Sequence, residues 1–280
     1  MNGRLIKKKK DNCHIERVRY MTRIPKIIHY FWLNDGQMPE LVKRCIHSWK
    51  EKLPDYEIKC WNAENFDVNI CRYTKEAFQA KKYAFVSDYV RLYVLYQEGG
   101  IYLDTDVEVF RRFDDLLDDA AFAGFENNHT IATCIFGSEK GNHLFKEFLD
   151  YYEEKAFILA NGEYDLTPNP VPITNIFRQN GAVINGTKQE IAGAVIYPQD
   201  YFCPYDRATE KMMITENTYT VHYFNGAWIS DEKKEIIAKR KLVIRKYGKF
   251  AGYIYYGIGL IKYVGFKQFI QEVRHMLRYK

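Results

Sequence analysis

The stretch Gly99-Gly100-Ile101-Tyr102-Leu103-Asp104-Thr105-Asp106 closes a helix, opens a strand and ends on two carboxylates. Glycine accepts the left-handed conformation of a helix C-terminus, so Gly99-Gly100 terminates the run from Lys81 to Glu98. Ala84, Val86, Val90, Val94 and Leu95 supply much of that helix's apolar face. Ile101-Tyr102-Leu103 then reads as a short buried strand. Alternation along an extended chain points Asp104 and Asp106 to the same side. Two carboxylates at the C-terminal end of a parallel strand suit a hard divalent cation. Alone the signal is weak, because Asp-x-Asp arises by chance about once in a chain of this size and fits a solvated turn as well.

Upstream, Ile24-Pro25-Lys26-Ile27-Ile28-His29-Tyr30-Phe31-Trp32 reads as a buried first strand, ended by the turn signal Asn34-Asp35-Gly36. Pro39 opens a helix that carries Leu41, Val42, Cys45, Ile46 and Trp49 at helical spacing and stops at Pro54. Glu57 to Trp61 reads as a second strand. Downstream, Phe122 to Phe125 and Gly193 to Tyr197 look strand-like, and Ile173 to Asn180 looks helical. Pro168, Pro170 and Pro172 mark a loop, and Val221 to Tyr223 is a further short strand. Strand and helix alternate, which predicts an α/β fold with a mostly parallel sheet flanked by helices.

The chain has 280 residues, 47% of them hydrophobic and 28% charged, which predicts a globular fold with a sizeable core and excludes wholesale disorder. Aromatic residues reach 16%, with 23 Tyr, a side chain that suits sites part apolar and part wet. Six cysteines show no C-x-x-C pair and irregular spacing, so we expect reduced thiols in a cytoplasmic protein rather than a zinc site. Lys7 to Lys10 precede no apolar run, so a signal peptide is not expected, and no stretch has the roughly 20 apolar residues of a spanning helix.

Around the glycine pair, Ala84-x-x-Ser87-Asp88-x-x-Arg91 followed by Gly99-Gly100-x-Tyr102-x-Asp104-x-Asp106 resembles glycosyltransferase family 32. That family includes bacterial capsular and O-antigen sugar transferases and fungal α-1,6-mannosyltransferases, and it is distantly similar to the clostridial glucosylating toxins. The first strand also looks like the family's, and the resemblance covers about residues 24–230. It implies a GT-A (Rossmann-like) fold, a nucleotide-sugar donor, a UDP-sugar in first place, Mn²⁺ or Mg²⁺ as cofactor, and retention of anomeric configuration. Asp88, Arg91, Asp104 and Asp106 take the catalytic positions. Trp32 is expected to stack on the base, with Tyr102 and Trp228 also in the donor site. Asp88 and Arg91 would contact the sugar and phosphates. Asp104 would bind ribose, sugar or metal, and Asp106 the metal. Val221-His222-Tyr223-Phe224-Asn225-Gly226-Ala227-Trp228 resembles a late His-His-x-x-Gly-Ser-Trp element, with Tyr223 and Ala227 departing from it. His222 is the expected third metal ligand. Glu126-Asn127-Asn128 reads either as an acceptor-side contact or as a surface turn, and His129 and His143 carry no pattern.

Three segments are expected: a basic arm over 1–23, a catalytic domain over 24–230, and a basic, aromatic helical appendage over 231–280. From Lys239 to Lys280 eleven Lys/Arg face one acidic residue, Glu272, which gives +10 in a chain of net +5. Phe250, Tyr253, Ile254, Tyr255, Tyr256, Leu260, Ile261, Tyr263, Val264, Phe266 and Phe269 are interleaved. This composition suits a segment lying on anionic lipid at the inner face of the plasma membrane, or equally a helical pair packed on the domain. The acceptor is expected to be a lipid-linked oligosaccharide in capsule, O-antigen or exopolysaccharide assembly. A protein acceptor is the alternative, and a non-catalytic carbohydrate- or nucleotide-binding protein a weaker one. Nucleic acid is not an expected partner.

Overall fold

A computed structural model describes residues 22–33, 37–206, 211–226 and 231–278. The basic arm up to residue 21, the Asn34-Asp35-Gly36 turn and Trp228 lie outside the described residues. In chain order the first half comprises β1 (Ile27–Phe31), α1 (Glu40–Lys52), β2 (Glu57–Trp61), α2 (Arg72–Gln79), α3 (Tyr83–Glu98), β3 (Gly100–Leu103) and β4 (Val107–Val109). Then come β5 (Ala121–Asn127), β6 (Thr130–Ile131), β7 (Ile135–Ser138), α4 (His143–Glu153) and α5 (Pro170–Gln179). The rest is β8 (Gln189–Ile191), β9 (Ala194–Tyr197), α6 (Gln199–Phe202), β10 (Tyr205–Asp206), β11 (Lys211–Met212), β12 (Thr220–His222) and α7 (Asp231–Arg278).

The main sheet has the order β2-β1-β3-β7-β5-β9-β8, with β6 on β5. β1 pairs parallel with both β2 and β3, and β5 pairs parallel with β9. β7 lies antiparallel between β3 and β5, so β1, β2, β3, β5 and β9 still run in one direction. The fold is the α/β arrangement, a mostly parallel sheet flanked by helices, that the sequence predicts. α2, α4 and the reversed β7 were not anticipated.

Alternating side chains on each strand feed two cores, as the two-residue period of a strand requires. Tyr102, Phe136, Ala123 and Ile196 join the core under α2, α3, α4 and α5. Ile101, Leu103, Ile135 and Phe122 join the core under α1 and α6. Both sheet faces are therefore covered, which accounts for the apolar runs in the central strands.

Gly99 and Gly100 have φ of 72° and 101°, conformations a side chain resists. A Cβ on Gly100 would meet Ile27 O at 2.7 Å and His29 Nε2 at 2.9 Å, so the α3–β3 turn sits directly against β1. His29 is buried there. Trp61 Nε1 donates to its Nδ1 at 3.0 Å, so its Nε2–H donates to Gly99 O at 2.8 Å. Burial pushes the His29 pKa down, and the ring fastens the turn as a neutral tautomer.

α7 is not one straight rod. Gly248 has φ of 85°, and a Cβ on Gly252 would collide with Ile244. A Cβ on Gly259 would lie 2.8 Å from Ile236, although a straight helix would separate those residues by about 35 Å. Arg240 also lies over the rings of both Tyr253 and Tyr256, at 4.9 Å. The chain therefore folds back at Gly248 into a helical hairpin. The glycines on its inner face let the two arms approach closely. Leu260, Tyr263, Val264, Phe266 and Phe269 lie outside the described side chains.

Candidate active site

β3 ends at Leu103, and a turn carries the chain to β4, with Val107 N donating to Asp104 O at 3.0 Å. Asp104, Thr105 and Asp106 occupy that turn. Their convergence thus comes from the turn and not from alternation along an extended strand, as the sequence had suggested. β4 pairs antiparallel with β12, and His222 sits opposite Val107. β4 is anchored from behind, because Trp49 Nε1 donates to Val107 O at 2.8 Å and Val109 N to Ser48 Oγ at 2.9 Å.

This pairing places His222 Nε2 3.3 Å from Asp106 Oδ1. Asn225 N donates to Asp106 Oδ2 at 2.8 Å, and Tyr223 N to Asp106 O at 3.0 Å. Asp104, Asp106 and His222 each present a ligand atom, all within 4.8 Å of one another. Two carboxylates and one imidazole nitrogen fit a manganese- or magnesium-like ion that completes its shell from substrate phosphate and water.

Behind this set lies α3. Arg91 is 4% exposed and its guanidinium is shared among several oxygens. It donates to Asp88 Oδ1 at 2.9 Å, to Asp104 Oδ2 at 3.4 Å, to Ser87 O at 3.2 Å and to Thr133 O. The guanidinium also lies over the Tyr102 ring at 5.1 Å. Asp88 and Arg91, three residues apart on α3, thus form an ion pair that extends to Asp104. Burial pushes the Asp88 carboxyl up to about 7, against the pull of Arg91 and with help from the Asp104 charge. Burial also raises Asp104, whereas at Asp106 the hydrogen bond from His222 overcomes burial and lowers the carboxyl. At His222 burial acts downward, but Cys134 and Asp106 outweigh it and hold the imidazole well above its ordinary value.

These groups line a cavity of about 860 Å³. Trp32, Asp88, Arg91, Tyr102, Asp104, Asp106, Glu126 and His222 all border it. Four more residues reach it, three of them, Asn169, Thr133 and Cys134, from parts of the chain that carried no motif. Asn169 precedes α5 and donates from Nδ2 to Asp88 O at 3.3 Å and Tyr152 OH at 3.1 Å, and its buried Oδ1 accepts no hydrogen bond. Phe224, with φ of 50°, packs its ring 4.0 Å from that of His222. Thr133 and Cys134 arrive because β7 pairs with β3, and Asp104 N donates to Cys134 O at 2.8 Å.

Residues 39–123 match the family described as "Glycosyltransferase sugar-binding region containing DXD motif". Over these residues the chain is similar to DXD-containing glycosyltransferases. Among curated relatives, inositol phosphoceramide mannosyltransferase 3 of Schizosaccharomyces pombe is 34% identical over 138 residues, 48% of this chain and 38% of that protein. "Subversion of eukaryotic traffic protein A" of Legionella pneumophila is 26% identical over 180 residues, 52% of this chain and 27% of that protein. The chain thus spans less than half the length of these two relatives. Among solved structures the PaToxG glycosyltransferase aligns at 19% identity and a TM-score of 0.43, over 56% of this chain and 69% of that one.

Proposed function

We infer that this chain moves a hexose or N-acetylhexosamine from a nucleotide-sugar donor to a glycan acceptor, with a divalent cation held by Asp104, Asp106 and His222. One observation carries the reading. A turn, a sheet pairing and a buried arginine bring two carboxylates, an imidazole and the Asp88–Arg91 pair to the floor of one cavity. When bound, the cation supplies positive charge to a diphosphate leaving group, where charge grows as the glycosidic bond breaks.

The chain's own residues do the rest. Asn225 N and His222 hold the Asp106 carboxylate from two sides, so its oxygens are fixed before any ligand enters. Arg91 pairs with both Asp88 and Asp104 and offsets part of their charge. Arg91 is therefore a positioning residue for both carboxylates, and Asp88 presents to the sugar. Trp32 at the cavity wall offers a π-face to the base, and Glu126 on the β5 end offers a carboxylate on the acceptor side. Retention of configuration, by same-face departure and attack, rests on the resemblance to family 32.

A lipid-linked acceptor, as in capsule, O-antigen or exopolysaccharide assembly, is supported by the hairpin of α7. Phe250 is 79% exposed, and Tyr247, Leu242, Tyr253, Ile254 and Ile258 are exposed beside Lys239, Arg245 and Lys246. Aromatic and aliphatic side chains amid cations fit an anionic lipid surface. No helix among the described residues is long and apolar enough to cross a membrane. The fungal relative's name also specifies a lipid acceptor, inositol phosphoceramide. The Legionella relative's name favours instead a target in a host cell, which keeps a protein acceptor as the second reading.

The test is a screen of UDP- and GDP-sugars for Mn²⁺-dependent nucleotide release, first with water and then with lipid-linked glycan or protein as acceptor. Release from at least one donor, abolished by Asp106→Ala, is the expected result. No release from any donor, or equal release by the variant, refutes the reading.

A further inference from the structure

Beneath the DXD turn lies a second group of ligand atoms, two thiols that the transfer reaction does not use and the His222 imidazole that both groups share. Cys134 Sγ and Cys203 Sγ are 3.4 Å apart, both buried, and His222 joins them with all three ligand atoms within 4.8 Å of one another. Three separate pieces of chain meet there. β7 pairing with β3 brings Cys134, which sits just before it. Cys203 follows α6, and α6 is tied to β12 by Thr220 Oγ1 donating to Phe202 O at 2.9 Å and Tyr219 N donating to Tyr201 O at 2.7 Å. His222 ends β12. The buried Nδ1 of His222 has no hydrogen-bond partner. Cys134 and His222 both border the cavity, which gives an ion a path in.

We propose that Cys134, Cys203 and His222 form a site for a thiophilic divalent cation of the zinc class. Sulfur atoms bound to one tetrahedral zinc at about 2.3 Å stand nearly 3.8 Å apart, so the observed separation needs only a small outward shift. Two thiols and one imidazole provide three ligands and leave one position for water. Binding releases the two thiol protons. A neutral imidazole has a single lone pair, so His222 serves either the sulfur set or the DXD set at one time. A cation in the sulfur set therefore withdraws His222 from the donor site. That consequence rests on the functional reading above, whereas the binding itself does not.

Cobalt(II) is the probe, added to reduced, metal-stripped full-length protein. One equivalent is expected to give the near-ultraviolet thiolate-to-cobalt charge-transfer band and the intense visible bands of tetrahedral cobalt, both removed by equimolar Zn²⁺. Cys134→Ser and Cys203→Ser are each expected to lose the band and at least tenfold in cobalt affinity. Asp104→Asn keeps the band, which separates failure of this site from failure of the DXD reading. Cys203→Ala, with folding checked by circular dichroism, carries the same reading if serine unfolds the chain. The double variant Cys60→Ser/Cys71→Ser retains the signal. Absence of a thiolate band in the wild type, or a band unchanged when a folded variant lacks Cys203, overturns the proposal.

Discussion

Arg91 shows how much of the site rests on one side chain. It is buried with two carboxylates, and its fork reaches Asp88, Asp104, Ser87 O and Thr133 O together. An ammonium offers no planar fork, so Arg91→Lys loses part of this set, and Arg91→Ala leaves Asp88 and Asp104 facing each other without a cation. Stranding a buried partner in this way costs about 3–5 kcal/mol, so Arg91→Ala is expected to lower the urea midpoint by that equivalent. A loss under 1 kcal/mol would show that the guanidinium does not organise the pair.

His222 gives a second expectation at this scale. Its pKa lies above the ordinary value because Cys134 and Asp106 outweigh burial, so the metal-free protein holds the proton to higher pH than an unfolded chain does. The stabilisation from that proton is fully present below the unfolded pKa of about 6.5 and fades as pH rises through the folded one. A divalent ion must displace the same proton, so Mn²⁺ affinity is expected to rise with pH across that upper range. Calorimetric titration at several pH values checks this, and His222→Gln is expected to flatten the dependence.

At the level of elements, the α3–β3 turn is the tightest constraint. Gly100 combines a φ of 101° with a steric limit: a Cβ there meets Ile27 O and His29. Gly100→Ala is expected to cost about 1–3 kcal/mol from backbone strain alone, with the clash in addition. Gly141 has φ of 75° but open space around it, so Gly141→Ala is expected to cost less, and equal losses in thermal unfolding would count against the steric account.

This turn was also what the sequence showed most clearly. A long apolar helix, a glycine pair and a short strand followed by Asp-x-Asp are local signals, and the structure keeps all three. Asp88, Asp104, Asp106 and His222 were readable because each sits in a short motif. Asn169, Thr133, Cys134 and Cys203 were not, because their position depends on strand order. β7 inserts antiparallel beside β3, and α6 docks on β12, and neither event leaves a local trace. β4 is only three residues long, so periodicity had little to act on, whereas α2 does carry a helical face, with Tyr73 and Ala77 buried four residues apart, and that signal was legible but not read. Convergence of the aspartates was anticipated, but the strand alternation given as its reason was replaced by a turn.

For the whole molecule, charge and apolar surface are divided between two parts. The described catalytic elements carry their apolar residues in two cores, whereas the α7 hairpin leaves Phe250, Tyr247 and Tyr253 in solvent among cations. The fold-back at Gly248 converts the expected appendage into a compact arm whose turn is its most exposed apolar point. Flotation with anionic vesicles at low salt is expected for the full chain and much reduced for Phe250→Ser/Tyr253→Ser, with transfer to a water-soluble acceptor unchanged. Equal flotation of both proteins would remove the hairpin from the docking account.

The claim on which the rest depends is that Asp104, Asp106 and His222 hold a cation that in turn holds the donor diphosphate. Calorimetric titration of UDP and GDP, with Mn²⁺ and with chelator, measures this most directly. Binding of one nucleotide that requires Mn²⁺ in the wild type and is lost in Asp106→Asn is the predicted result. Nucleotide binding that persists in chelator, or Mn²⁺-dependent binding that Asp106→Asn retains at full strength, would contradict it.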